Sequence, residues 1–272
     1  MANPPNSGRT QWQQCMWHIG RWCAAAKALL LMIASDRQRI RHAMRFFFIT
    51  EGQAFERTLS DFRETYAGRE LLRQRPNHPD IYASRALLDA CPPGSLGQWY
   101  AKFMKDFSLT EETYLTIAIE QAEPLADDPE RAWFHLRFDA SHDVRHVLAG
   151  YGPDRLGEIC LLCFRRGQIR HPGIVVFILL GLVSLIFTHR GPVLAPLWEA
   201  YWRGRRARLL DLLPWENGFA EPLAVHRATL GLTPPRSYPN SFAPEAYLGD
   251  SMRARYGEPG KSGKTGRAFE VT

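Results

Sequence analysis

Residues 141–158 read SHDVRHVLAGYGPDRLGE, and this stretch predicts two helices joined by a tight turn. The Gly-Tyr-Gly-Pro sequence at 150–153 would end the first helix, because glycine and proline disfavour helix interiors and favour turns. A second helix that begins at Pro153 or Asp154 would then run back along the first. The stretch therefore predicts a helical hairpin.

Most of the remaining chain shows apolar side chains at three- and four-residue spacing, which is typical of amphipathic helices. The pattern is clear in RQRIRHAMRFFF (37–48) and EGQAFERTLSDFRETYAG (51–68). Because no segment shows the period-two alternation of a strand, we predict an all-α fold. We expect an amphipathic helical extension (1–44), a single helical core domain (45–240) and a flexible tail rich in Gly, Lys and Ser (241–272).

The longest apolar segment is GIVVFILLGLVSLIFTH (173–189). Its apolar run, 174–187, is shorter than the roughly 20 residues that a membrane-spanning helix needs. Its β-branched content would also suit a buried strand, but its length favours a helix. We therefore predict an apolar central helix, which would also provide a wall for a long hydrocarbon ligand, with Phe177 and Leu180 among its contacts.

The segment WCAAAKALLLMIAS (22–35) has some features of a signal peptide, but Lys27 interrupts it and the basic region before it is too long. The N-terminal region is also poor in acidic residues and contains arginine, as a transit peptide would. We favour an amphipathic helix that packs on the protein or lies on a membrane surface.

The composition narrows the choice of partners. The chain of 272 residues carries a formal net charge of +6, mainly from arginine, which suits an anionic partner such as a lipid headgroup, a phosphate or a nucleic acid. Because no nucleic-acid-binding motif is present, nucleic acid is the least favoured of these partners.

The five cysteines do not show the even, regular pattern of a disulfide framework, which fits a reducing compartment. Cys160 and Cys163 form a CxxC motif inside an apolar helical segment, and no second pair exists to complete a zinc site. We predict that both are buried packing residues, and redox chemistry is the less favoured alternative.

The hairpin also contains a candidate metal site. His142 and His146 would share one helix face, Asp143 would lie about 100° around from His142, and the returning helix would bring Glu158 toward them. Imidazoles and carboxylates together suit Zn, Mn, Fe(II) or Co. In the alternative interpretation Asp143 pairs with Arg145 or Arg155, and Glu158 lies on a solvated face.

The motif His-Asp-x-x-His, followed by eleven residues and Glu, resembles the hallmark of the coenzyme Q (ubiquinone) biosynthesis protein four family. His142, Asp143, His146 and Glu158 match it at every position. Two flanking segments, PPGSLGQWYAKFM (92–104) and AYWRGRRARLLDLLPWENGFAEPLAVHRATLGL (200–232), are also similar to the family. The resemblance extends from roughly residue 45 to residue 235.

The resemblance implies an all-α protein whose four motif residues bind a divalent metal, usually zinc. It implies removal of the C1 carboxylate from a polyprenylated 4-hydroxybenzoate derivative, alone or coupled to hydroxylation at C1. It implies a peripheral membrane protein that works with other quinone-biosynthesis enzymes, on the matrix side of the mitochondrial inner membrane or the cytoplasmic face of a bacterial one. We also expect a homo-oligomer.

Other residues suit this chemistry. Arg203, Arg205 and Arg206 would hold a substrate carboxylate or lipid phosphates, although a solvated helix face explains them equally well. Asp143 or Glu158 would act as a proton shuttle if fewer of the four residues bind the metal.

Two other functions remain open. One is a non-enzymatic scaffold that binds a prenyl lipid and organises quinone-biosynthesis enzymes around a structural metal. The other is an HD-type phosphohydrolase, which would need further ligands; His135 and His171 are available, but no arrangement in the sequence favours them.

Overall fold

The computed structural model describes residues 11–35, 38–78, 82, 84–109, 111–189 and 191–243. The described residues form thirteen α-helices and no strand, which confirms the all-α prediction. The helices are α1 Gln11–Ala34, α2 Arg39–Thr50, α3 Gln53–Glu64, α4 Tyr66–Gln74, α5 Arg85–Asp89, α6 Leu96–Asp106, α7 Glu111–Ala122, α8 Pro129–Ala140, α9 His142–Ala149, α10 Arg155–Gln168, α11 Pro172–Thr188, α12 Leu194–Arg206 and α13 Leu223–Leu230. Short 3₁₀ segments lie at Glu123–Leu125, Leu210–Leu212 and Trp215–Asn217.

The three predicted segments are partly covered by these residues. The extension (1–44) contains α1 and the start of α2, and the predicted flexible tail lies outside the described residues from 244 onward. Cys160 and Cys163 are both buried in α10, as predicted for packing residues, and burial raises the pKa of each thiol.

The helices α9 and α10 form the predicted turn-linked pair. Gly150 ends α9 with a φ of 81°, a left-handed conformation that favours glycine. Asp154 begins α10, because its side chain accepts hydrogen bonds from the backbone N–H groups of Leu156 and Gly157. Tyr238 donates to the Asp154 carboxylate and accepts from the Gly152 N–H, so the segment after α13 covers the turn.

A close helix crossing places α10 in the core. A Cβ atom at Gly204 of α12 would lie 2.0 Å from the carbonyl oxygen of Phe164, and one at Gly167 would lie 2.4 Å from that of Tyr201. Only glycine allows the two backbones to approach this closely. The largest hydrophobic cluster of the described residues surrounds this crossing and includes Val144, Leu148 and Phe164.

The apolar segment 174–187 is helical as predicted, but it is not central. Its helix, α11, buries Gly173, Ile174 and Leu185, while Val175, Leu179, Val183 and Ile186 are exposed. Because these exposed positions are three or four residues apart, they form one apolar face. The continuous apolar sequence therefore reflects a helix with one side against the protein and an equally apolar side turned outward.

Buried charges hold α9 and α10 together. The Asp211 carboxylate accepts from Arg145 of α9 at 3.0 Å and from Arg165 of α10 at 2.5 Å. Burial alone would raise the pKa of Asp211, but the two guanidinium groups lower it below the ordinary aspartate value. The proposed pairing of Asp143 with Arg145 is therefore wrong, because Arg145 is bound to Asp211.

Replacing Asp211 by asparagine should lower the free energy of unfolding by about 3–5 kcal/mol, because two guanidinium groups would stay buried without their counter-charge. Chemical denaturation measures this, with Asp61→Asn on the exposed side of α3 as the control that changes little.

The carboxylate form of Asp211 is the stabilising one. In wild type its contribution should be present above the unfolded-state pKa and lost as the pH falls through the lowered folded-state pKa. Equal stabilities of Asp211→Asn and Asp61→Asn would contradict this account.

Candidate metal centre

Three of the four predicted metal ligands meet between α9 and α10. The His142 and His146 Nε2 atoms are 3.2 Å apart, and they lie 3.6 and 3.4 Å from the two carboxylate oxygens of Glu158. One ligand atom from each residue lies within 4.8 Å of the others. The predicted turn between the helices thus brings two imidazoles and one carboxylate to a common point.

The backbone fixes the orientation of the His146 ring. Its Nδ1 atom is 3.1 Å from the carbonyl oxygen of Tyr151, which accepts a hydrogen bond from an Nδ1–H group. With the proton on Nδ1, the Nε2 lone pair faces His142 and Glu158. Phe103 stacks on the same ring at a centroid distance of 5.6 Å, which limits its rotation. This arrangement of ring, carbonyl and aromatic neighbour is suited to a fixed ligand.

The electrostatics fit a divalent cation. Burial raises the pKa of Glu158, but the two imidazoles lower it more, so the carboxylate stays ionised. Burial lowers the pKa of His146, whereas Glu158 and Asp143 more than offset this and raise it above the ordinary histidine value. The site thus favours positive charge, from a proton or from a metal ion. Metal binding would displace the proton and weaken as the pH falls.

Asp143, the predicted fourth ligand, lies outside the group of three. It is buried in the first turn of α9, where burial raises the pKa of its carboxyl group more than the neighbouring imidazoles of His142 and His146 lower it, so the net shift is upward. A cation nearby would favour the ionised form of this buried group. Its role as a ligand remains a prediction.

The predicted arginine contacts lie in different environments. Arg203 is buried and donates to the backbone carbonyls of Ala149 and Thr233 at 2.9 and 3.0 Å, so we exclude it from the proposed substrate site. Arg205 and Arg206 are exposed at the end of α12, and the Arg206 guanidinium lies 5.8 Å from the ring centre of Trp202. These two remain candidates for binding an anionic headgroup.

The two predicted apolar contacts of the ligand, Phe177 and Leu180, also lie in different environments. Phe177 is half-buried and packs on Phe46 and Phe47 of α2 at centroid distances of 5.4 and 4.5 Å. Leu180 lies on the outer side of α11 and is 39% exposed. Neither residue is among those that form the group of three.

A second polar cluster beside the site was not predicted. His135 of α8 lies between the carboxylates of Glu51 and Asp139. The spacing of His135 and Asp139, four residues apart, was visible in the sequence and indicates a shared helix face. Glu51 had no such signal, because it reaches the cluster from a distant part of the chain.

Replacing His142 or Glu158 by alanine should abolish stoichiometric binding of a divalent metal, because each variant removes one of three converging ligands. The helical content should stay unchanged. Metal content by inductively coupled plasma mass spectrometry, with circular dichroism, tests this. His189→Ala, at the end of α11, is the matched control and should keep its metal. Full occupancy in both site variants would contradict the assignment.

Comparison with known proteins agrees with this structure. The family model described as "Coenzyme Q (ubiquinone) biosynthesis protein Coq4" matches residues 22–236, so the match begins within the predicted extension (1–44). A crystal structure of a candidate ubiquinone biosynthesis protein from Nostoc punctiforme has a TM-score of 0.53 and 18% identity. It covers 77% of this chain and 95% of that chain, and it supports the fold alone.

Curated relatives extend the comparison. The mitochondrial ubiquinone biosynthesis protein COQ4 homolog of Rattus norvegicus is 28% identical over 65% of this chain and 64% of its own length. The Homo sapiens homolog is 27% identical over 71% of this chain and 72% of its own length. The chain thus spans slightly less than two thirds of the rat relative. Because the family model covers most of the chain, the protein belongs to the coenzyme Q (ubiquinone) biosynthesis protein Coq4 family.

Proposed function

We propose that this protein acts in ubiquinone biosynthesis as a metal-dependent carboxy-lyase. Its substrate would be a polyprenylated 4-hydroxybenzoate derivative, and the reaction would remove the C1 carboxylate. The main structural support is the convergence of His142, His146 and Glu158 on one point. Family membership and the names of the relatives, which are described as ubiquinone biosynthesis proteins, support the pathway.

His142, His146 and Glu158 would hold the ion, and Asp143 would join them as the predicted fourth ligand. Zinc suits this donor set best, and Mn, Fe or Co would also accept it. When bound, the ion would supply a Lewis acid that stabilises negative charge on a substrate oxygen.

The burial of the three ligands suggests how a substrate would approach. The His146 side chain is fully buried, whereas that of Glu158 is 38% exposed, so the site is open on the Glu158 side. The aromatic acid would enter there. The buried side of the site would exclude water from the reacting carboxylate, which strengthens every electrostatic interaction in it.

The helix next to this site would serve the polyprenyl tail. α11 packs directly on α10, where Gly181 lies so close to Ile159 that a Cβ atom would come within 2.0 Å of it. The outer face of α11 is apolar, and Phe187 at its end is 83% exposed. A hydrocarbon tail, or the lipid that contains it, would cover this face.

α12 adds a second apolar face. Leu194, Trp198 and Trp202 are exposed at four-residue spacing, and exposed tryptophans favour a membrane interface. Arg205 and Arg206 follow at the end of the helix, where they would bind lipid phosphates. In the described part of the chain, no helix combines the length and hydropathy needed to cross a membrane.

We therefore propose peripheral binding to the matrix face of the mitochondrial inner membrane, or to the cytoplasmic face of a bacterial inner membrane. The exposed faces of α11 and α12 support membrane contact, and the mitochondrial relatives support the first compartment. Other quinone-biosynthesis enzymes and a second copy of the chain are the proposed protein partners.

The scaffold is the second candidate, because the same apolar faces would suit a protein that only binds prenyl lipids. A structural metal usually has four protein ligands and no open position. Here three ligands converge and Glu158 is half-exposed, which favours the enzyme. The phosphohydrolase has less support, because neither His135 nor His171 belongs to the group of three; His171 instead accepts a hydrogen bond from the Gly173 N–H.

The metal-loaded protein should release the C1 carboxylate of a prenylated 4-hydroxybenzoate as CO₂, and chelation should abolish the release. The test follows ¹⁴CO₂ from carboxyl-labelled substrate and restores activity by adding zinc, manganese, iron or cobalt. Glu158→Ala should be inactive, and His189→Ala should retain activity. Bound metal and bound prenyl lipid without any release of CO₂ would favour the scaffold.

Introducing a charge on the outer face of α11 should weaken membrane binding. Phe187→Glu should reduce sedimentation with anionic phospholipid vesicles by roughly tenfold or more, because burying one aromatic side chain contributes about 1.5–3 kcal/mol. Tyr66→Glu on α4, a position that is 72% exposed, is the matched control. Equal vesicle binding by both variants would contradict this role of α11.

A further inference from the structure

The Tyr238 hydroxyl group lies against the turn that joins α9 to α10. It donates a hydrogen bond to the Asp154 carboxylate and accepts one from the Gly152 N–H at 3.0 Å. The Tyr238 ring packs on the ring of Tyr151 at a centroid distance of 5.3 Å. A single side chain from the segment after α13 therefore contacts the side chains of Tyr151 and Asp154 and the backbone between them.

Two glycines leave room for this hydroxyl group. A Cβ atom at Gly157 would lie 2.6 Å from the Tyr238 hydroxyl oxygen and 2.1 Å from the carbonyl oxygen of Gly152. A Cβ atom at Gly152 would lie 3.0 Å from the same hydroxyl oxygen. Because glycine has no Cβ atom, the hydroxyl group can reach the backbone of the turn. A larger residue at position 157 would fill the space that the hydroxyl group occupies.

The surroundings keep Tyr238 protonated. Tyr238 is 3% exposed, and burial raises the pKa of its hydroxyl group. The Asp154 carboxylate raises this pKa further, because it accepts the hydroxyl proton in a hydrogen bond and carries negative charge. Tyr238 therefore remains a hydrogen-bond donor to Asp154 over the pH range in which imidazoles bind metals.

The segment that contains Tyr238 is attached to α12. The Glu199 carboxylate accepts hydrogen bonds from the backbone N–H groups of residues 236–237 at 2.7 and 2.6 Å. Arg203 of the same helix donates to the Thr233 carbonyl oxygen at 3.0 Å. Tyr238 is therefore held by the helix that crosses α10 in the core.

The same turn makes backbone contacts with two candidate metal ligands. The Tyr151 carbonyl oxygen lies 3.1 Å from Nδ1 of His146 and accepts its hydrogen bond. The Glu158 N–H donates to the Asp154 carbonyl oxygen at 2.9 Å, in the first turn of α10. Tyr238 contacts both Tyr151 and Asp154. A shift of the turn would therefore move the His146 ring relative to the Glu158 carboxylate.

We propose that Tyr238 is a positioning residue for the candidate metal centre. By holding the turn, its hydroxyl group keeps Nε2 of His146 and the Glu158 carboxylate at the 3.4 Å separation from which both reach one ion. A group that orients metal ligands without binding the ion typically changes the metal affinity by roughly 10- to 100-fold. The inference rests on the metal centre of the proposed function, but it does not depend on which reaction the ion supports.

The first test measures metal affinity. Tyr238→Phe removes only the hydroxyl group, and it should lower the affinity of the full chain for Zn²⁺ by roughly tenfold in competition with a chromophoric chelator. Tyr82→Phe is the matched control, because it removes a buried hydroxyl group that accepts a hydrogen bond from Trp215 Nε1 at 2.7 Å. Both variants should lose stability, but only Tyr238→Phe should lose affinity. Equal zinc affinities of the two variants would overturn the inference.

The second test reports the arrangement of the ligands. The visible absorption bands of bound Co²⁺ depend on the number and geometry of its ligands. Tyr238→Phe should change the intensity or position of these bands, whereas Tyr82→Phe should keep the wild-type spectrum. A wild-type spectrum in Tyr238→Phe would mean that the hydroxyl group stabilises the fold without positioning the ligands, and it would overturn the inference.

Glu199→Ala provides a second variant that leaves Tyr238 in place. It releases the backbone of residues 236–237, so it should also lower the zinc affinity, by less than Tyr238→Phe does. This loss should disappear in the Tyr238→Phe background, because both changes act through the same hydroxyl group. A loss of equal size in both backgrounds would overturn the role of Tyr238. If Tyr238→Phe does not fold, wild-type zinc affinity in Glu199→Ala overturns it.

The result can be separated from that of the proposed function. Lower zinc affinity in Tyr238→Phe, without release of CO₂ by wild type, supports the positioning role and contradicts the carboxy-lyase. Release of CO₂ by wild type, with equal zinc affinities of Tyr238→Phe and Tyr82→Phe, supports the carboxy-lyase and overturns the positioning role. A wild-type chain that binds neither Zn²⁺ nor Co²⁺ overturns both.

Discussion

The Asp211 carboxylate between Arg145 and Arg165 is the constraint on which the candidate site depends. One guanidinium comes from α9 and the other from α10, so a single buried acid fixes the separation of the two helices. Arg137 of α8 donates to the Asp211 carbonyl oxygen at 2.7 Å and pairs with Glu216, which ties the same region to a third helix. With the helices held in this way, the imidazoles of α9 face the carboxylate of α10.

The end of α9 and the turn that follows it are fixed by the chain after α12. Arg227 of α13 donates to the carbonyl oxygens of Val147 and Leu148 at 2.7 and 3.1 Å, at the end of α9. The same guanidinium binds the Phe242 carbonyl oxygen at 3.1 Å, and the Phe242 N–H donates to Gly150. These bonds use carbonyl groups that the end of a helix leaves without intrahelical partners. The turn that sets the direction of α10 is thus enclosed on both sides.

The sequence predicted those features that depend on local spacing. The helix pair, its glycine and proline turn, and the approach of His142, His146 and Glu158 all follow from positions within one short stretch. It did not predict the ion pairs of Asp211, because Arg145 and Arg165 are 66 and 46 residues away from Asp211 in the sequence. The Glu51 contact was missed for the same reason. The position of α11 was wrong, because an apolar sequence shows which side chains avoid water but not whether protein or lipid covers them.

The proposed chemistry depends above all on how the ion is bound, and X-ray absorption spectroscopy at the metal edge measures this directly. In the zinc-loaded protein we expect two imidazole nitrogens and carboxylate oxygen near 2.0–2.2 Å, with at least one further light-atom ligand that substrate displaces. Addition of the prenylated 4-hydroxybenzoate should therefore change the metal environment. A shell that contains sulfur, or one that stays unchanged when substrate is added, would contradict an open catalytic site formed by His142, His146 and Glu158.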